Sequence, residues 1–133
     1  MRDIFINRDV KSHYYAMNQI LAPYSSMLEI KKLKLKHDKK IREIAKFAKN
    51  GRKEKEFIEA SKVDGATHIF ACVFILSRFE RGALWTSEDS VAINALFGYC
   101  KKELLKYKEW APEIFWKILY MDKEDFYKEV VEK

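Results

Sequence analysis

The sequence predicts an all-α protein: a single compact domain over residues 1–133, with five to seven helices around a central apolar helix at about 66–81. Apolar residues recur at spacings of three and four through most of the chain, and breakers are scarce, with four Gly and two Pro. The longest apolar run, Ile69–Leu76, has no second β-like run to pair with, so a strand there would leave its backbone unsatisfied. An apolar content of 48 % in 133 residues suits one core and argues against disorder or a disulfide scaffold.

Asp9 is expected to cap a first helix, followed by Val10, Tyr14, Met17 and Leu21 on one face and ended by Pro23. Ser25 or Ser26 is the expected cap of a second, long helix. Ile30, Leu33, His37, Ile41, Ile44 and Ala48 give it a helical period up to the Asn50-Gly51 stop. Its roughly 23 residues would span about 35 Å and lie on the outside of the domain. Helix resumes over Lys53–Val63, and Asp64-Gly65 predicts a kink or short break.

Ala66–Arg81 is apolar on nearly every face, which makes it the central helix, with Gly82 as its stop. Thr86-Ser87-Glu88-Asp89 is a helix N-terminus, a hydroxyl cap with acids in the first turn where the dipole favours them. Val91, Ala92, Ala95, Leu96, Tyr99 and Leu104 or Leu105 carry that helix to about Glu109. Pro112, behind Trp110, starts a sixth helix, and Asp122 caps a short terminal one with Phe126 and Val130 on one side.

Charge is the feature that bears on function. Lys31–Lys55 holds 12 of the 26 basic residues and only three acids, a net +9, leaving the rest of the chain at −3. With Ile30, Leu33, Ile41 and Ile44 facing the core, Lys32, Lys36, Lys39, Lys40, Arg42, Lys46 and Lys49, followed by Arg52 and Lys53, are the candidate contacts to a polyanion. The plain alternative is a solvated face that keeps the protein soluble.

Nine aromatics lie between Phe97 and Tyr127, and most are expected to be core, but Trp110, Phe115, Trp116 and Tyr120 are too many for the inner face of so short a helix, so one or two of these four are expected to be exposed and available to a partner. Phe115 and Trp116 point about 100° apart on a short helix, so one of them is expected to face a partner. Arg78 and Arg81 favour the C-terminal dipole of the central helix, and Arg78 is a further candidate to face a partner.

The three histidines supply no HExxH or Cys/His cluster. Asp64 and His68, one turn apart, fall short of a metal's ligand set, so no metal and no cofactor is expected. Cys72 and Cys100 lie in apolar patterns with no metal spacing and read as buried thiols in a reducing compartment. No glycine-rich phosphate loop and no GxSxG occurs, so no catalytic residue is assigned. The charged N-terminal stretch lacks a secretory apolar region, and the longest apolar run is far below the ~20 residues that cross a bilayer, so the expected location is the cytoplasm, away from membranes.

Two functions fit. One is a non-enzymatic nucleic-acid-binding accessory protein that grips DNA or RNA backbone, such as a small subunit of a ribonucleoprotein complex. The other is a phage- or plasmid-encoded interaction module that docks on an acidic or nucleic-acid-binding protein and inhibits it, as anti-restriction and anti-CRISPR proteins do.

Overall fold

The structure, a computed structural model, describes residues 2–47, 52–78, 86–107 and 113–132, with side chains at 10–44, 56–57, 59–78, 86–107, 113–117 and 119–132. It is all-α. In chain order the helices are α1 (Arg2–Leu21), α2 (Leu28–Phe47), α3 (Arg52–Ser61), α4 (Ala66–Arg78), α5 (Ser87–Lys106), α6 (Glu113–Ile118) and α7 (Lys123–Phe126). A 3₁₀ turn over Ala22–Tyr24 carries Pro23 in its first positions, and α7 runs on into a π-helical turn over Tyr127–Val131.

The centre is α4. Ile69 to Leu76 are all buried, and this helix packs against α1, α2, α3 and α5. Its sequence is apolar all round because it has neighbours all round. One hydrophobic cluster draws on all seven helices. Gly65 turns the chain from α3 into α4 at φ +79°, a conformation that an L side chain adopts only with strain, in keeping with the break expected at Asp64-Gly65. Thr86 caps α5 by accepting the Asp89 N–H at 3.0 Å, and Asp122 caps α7 by accepting the Glu124 N–H at 2.9 Å.

Four expectations are corrected. The first helix begins at Arg2, so Asp9 lies within it and is no cap. The second is entered past both serines: the Lys31 N–H donates to the Met27 carbonyl at 3.1 Å, and α2 starts at Leu28.

The buried face of α5 is Ile93, Leu96, Phe97, Cys100 and Leu104, whereas Val91, Ala95, Tyr99 and Leu105 are exposed. Apolar residues surround this helix, and packing against α4 selects which of them are covered. Finally, Phe115 and Trp116 are both buried, each 3 % exposed, so neither faces a partner. The two sides of α6 have different covers. Phe115 lies edge-on to Phe70 and Phe57, at centroid distances of 4.9 and 6.3 Å, while the C-terminal segment places Phe126 and Tyr127 against Trp116 at 5.2 and 6.1 Å.

The Asn50-Gly51 stop, Ala48, Glu80, Arg81, Gly82, Trp110 and Pro112 lie outside the described residues. No described helix is long and apolar enough to cross a membrane.

Candidate nucleic-acid interface

The α2 helix divides along its length into a buried apolar stripe and a basic outer arc on which one apolar residue, Leu35, is also exposed. Ile30, Leu33, His37, Ile41 and Ile44 are buried, while Lys31, Lys32, Lys36, Lys39 and Arg42 are exposed. At ~100° per residue, Lys32, Lys36 and Lys39 fall within about 60° of one another, opposite the buried stripe, and Lys40 stands on the flank. The other basic candidates divide. Lys32 pairs with Glu29 at 3.5 Å, and Arg42 donates from Nε to its own helix at the Asp38 carbonyl. Lys46, Arg52 and Lys53 lie on described helices but outside the described side chains, and Lys49 lies outside the described residues altogether.

On the Lys40 flank the helix meets residues from two distant parts of the chain. Lys36, Lys39, Lys40 and Glu43 share a shallow groove of ≈ 370 Å³ with Phe74, Arg78 and Tyr120. Four cations and one acid line it, and the buried Phe74 contributes to its wall. Lys40 Nζ lies 4.5 Å from the centroid of the Tyr120 ring, a cation–π contact. Partial burial, and then the neighbouring Arg78 guanidinium, lower the Lys40 pKa from its ordinary value, with Glu43 opposing them.

Tyr120 owes its position to the end of α6. The Met121 N–H donates to the Trp116 carbonyl at 3.0 Å and the Tyr120 N–H to the Lys117 carbonyl at 3.1 Å, the paired bonds of a Schellman motif. Tyr120 stands at the left-handed position of that motif, φ +57°, which glycine ordinarily fills, and its side chain is 82 % exposed. Arg78 holds the same turn by donating from Nη2 to the Leu119 carbonyl at 3.0 Å. Arg78 was expected at a partner-facing position, and it is an exposed residue of the groove that also ties two helices together.

Glu43 is not among the residues the sequence singles out, and Tyr120 is one of four aromatics of which one or two are expected to be exposed; its exposure agrees with that expectation, and its place beside the lysines is new. A left-handed backbone at a tyrosine leaves no trace in composition or period.

The histidines and cysteines serve the interior. His13 and His37 are fully buried on α1 and α2, and burial pushes their pKa values down to about 3 and about 4, the charge of His37 adding to the effect on His13. His68 is half-buried, with Nε2 3.2 Å from the Tyr99 hydroxyl and 3.6 Å from a Glu103 carboxylate oxygen. Hydrogen bonding to Cys72, opposed by burial and helped by Glu103, raises its pKa. The hydrogen bond to Cys100, together with burial, pushes the Cys72 thiol far up, so it stays protonated. Asp64 is exposed, and no three His, Cys, Asp or Glu among the described residues are arranged to hold a metal ion.

No protein-family model matches the chain, and no curated protein or solved structure is similar to it.

Proposed function

We propose that this protein is a non-enzymatic nucleic-acid-binding accessory protein that grips phosphate backbone through the outward face of α2, in the manner of a small subunit of a ribonucleoprotein complex. The observation that carries this reading is the sharing of one groove by Lys36, Lys39 and Lys40 with Arg78, a cation from a different helix. Like charges held side by side repel, and an anion between them turns that repulsion into attraction. A backbone of regularly spaced phosphates suits such a groove better than a lone carboxylate does, because it also engages Lys32 and the other cations along α2.

The test is fluorescence anisotropy with labelled oligonucleotides over a range of salt. If about six phosphates are neutralised, log affinity against log salt has a slope near −5 on duplex, and a shallower one on single strands. Replacing Lys36, Lys39 and Lys40 together with Gln is expected to flatten the slope by about 3 with the circular dichroism spectrum unchanged. Absence of salt-dependent binding to both duplex and single strand, with capture of a protein that survives nuclease treatment, overturns the proposal in favour of the protein-docking inhibitor.

A further inference from the structure

We infer that the nucleic acid taken by this protein is single-stranded, with an unpaired base stacked on the exposed ring of Tyr120 and the adjoining phosphate held between Lys40 and Arg78. This rests on the nucleic-acid reading and adds to it the form of the strand and the residue that selects it.

A Schellman motif with a non-glycine residue at its left-handed position carries strain, and residues kept in such conformations concentrate where binding demands them. Here the strained residue is not used for packing, because the Tyr120 ring is 82 % exposed. It is the most exposed of the large apolar and aromatic side chains among the described residues, and it lies in the groove that collects the cations.

Lys40 Nζ covers one face of the ring at 4.5 Å, and the exposure leaves the rest open to solvent. A nucleobase offers a flat π-face of matching size, and base–aromatic stacking beside a basic groove is how proteins hold unpaired strands with little regard to sequence. In a duplex those faces are already covered by neighbouring base pairs, so the ring selects for unpaired bases.

Lys40 is the cation on the ring, and Arg78 uses one of its five N–H donors on the Leu119 carbonyl, the residue just before Tyr120. A phosphate one linkage from the stacked base meets an ammonium and a guanidinium together, and it relieves the repulsion that helps to lower the Lys40 pKa. Glu43 lines the same groove and acts on Lys40, so it offsets part of the attraction there, and Arg78 and the neighbouring lysines leave the groove net positive.

The experiment measures binding of oligo(dT), oligo(rU) and a hairpin duplex of equal charge to the wild-type protein and to Tyr120→Leu, Tyr120→Phe and Tyr120→Gly. Tyr120→Leu is expected to weaken the single strands about tenfold and the duplex less than twofold, with Tyr120→Phe retaining wild-type affinity. A loss on the ribose strand alone assigns RNA, on the deoxyribose strand alone DNA, and on both a groove that does not read the sugar. Tyr120→Gly separates strain from function: it is expected to melt a few degrees higher than wild type while binding the single strands as weakly as Tyr120→Leu. Equal single-strand affinity of Tyr120→Leu and wild type, with the salt-dependent binding intact, removes the stacking inference and leaves the backbone reading standing. A wild-type protein that binds none of the three probes removes both.

Discussion

The imidazole of His13 donates from Nε2 to the hydroxyl of Ser61 across 3.1 Å, joining α1 to the last residue of α3. The direction follows from Ser61, whose single proton is committed to the Phe57 carbonyl at 2.8 Å, so its oxygen is left to accept. Nδ1 is then the bare nitrogen, and it is buried without a hydrogen-bond partner. Ser61→Ala strands the Nε2 proton as well. The expected loss is about 1–3 kcal/mol in urea unfolding, and a variant as stable as wild type would show that this bond contributes nothing.

Both nitrogens of His37 are buried without a hydrogen-bond partner, and the ring stands edge-on to Phe74 at 5.1 Å. Its ring packs on Phe70 and Phe74, and the nearest charged group is the Asp38 carboxylate, 3.7 Å from Nδ1 and beyond hydrogen-bond distance. His37→Leu is expected to stabilise the protein by about 1 kcal/mol, since it removes two orphaned polar atoms and nearly conserves volume. A lower urea midpoint in this variant contradicts the assignment.

Acid sensitivity follows from the same pair. Burial holds the folded pKa of His13 at about 3 and of His37 at about 4, below the ordinary 6.5. The unfolded chain therefore binds protons that the folded chain refuses. The contribution of this pair is complete above about pH 7, declines as pH falls below 6.5, and levels only once the folded values are passed, at up to ~1.4 kcal/mol per pH unit for each histidine, while His68, whose pKa is raised, works in the opposite sense. Asp38, whose carboxylate lies 3.7 Å from His37 Nδ1, has a pKa raised by burial and works weakly in the opposite sense. Urea midpoints at pH 7.5, 6, 5 and 4.5 measure the decline, and His37→Leu is expected to halve its slope. A flat profile excludes buried neutral histidines.

Phe115→Ala and Trp116→Ala are each expected to cost about 3–5 kcal/mol, as Phe74→Ala does, because all three side chains are buried. The indole Nε1 of Trp116 is buried without a hydrogen-bond partner, so Trp116→Phe is expected to cost much less than the alanine variant. Thermal melting orders the series, and a Trp116→Ala variant that melts with wild type would return this residue to the surface.

The helices were legible where local chemistry names its own geometry. Thr86 and Asp122 cap where their side chains and following acids said they would, and the three-and-four period of α2 placed Ile30, Leu33, His37, Ile41 and Ile44 inside. Legibility failed where the answer lay in a neighbour. Nothing within Val91–Leu105 chooses between Val91 and Ile93, because both belong to apolar stripes and only the surface of α4 decides. Trp110, Phe115, Trp116 and Tyr120 are too many for the inner face of one short helix; Phe115 and Trp116 are nevertheless both covered, because the chain beyond Asp122 returns to the second side, while Tyr120 is exposed. The lysines of the candidate site were evident from charge alone, but Tyr120 and Arg78 join them only through tertiary folding.

Lys40 and Tyr120 stand 80 positions apart in the chain, so their contact closes a long loop. A partly opened form that released α6 and α7 would keep every lysine of α2 and lose the ring beside them. Such a form would be a generic polycation, holding any phosphate chain with equal readiness, and the docked C-terminal segment is what would make the same charges discriminate. Under the proposed single-strand reading, selectivity is tied to completion of the fold, and agents that release α6 and α7 are expected to broaden what is bound before they weaken how tightly it is bound.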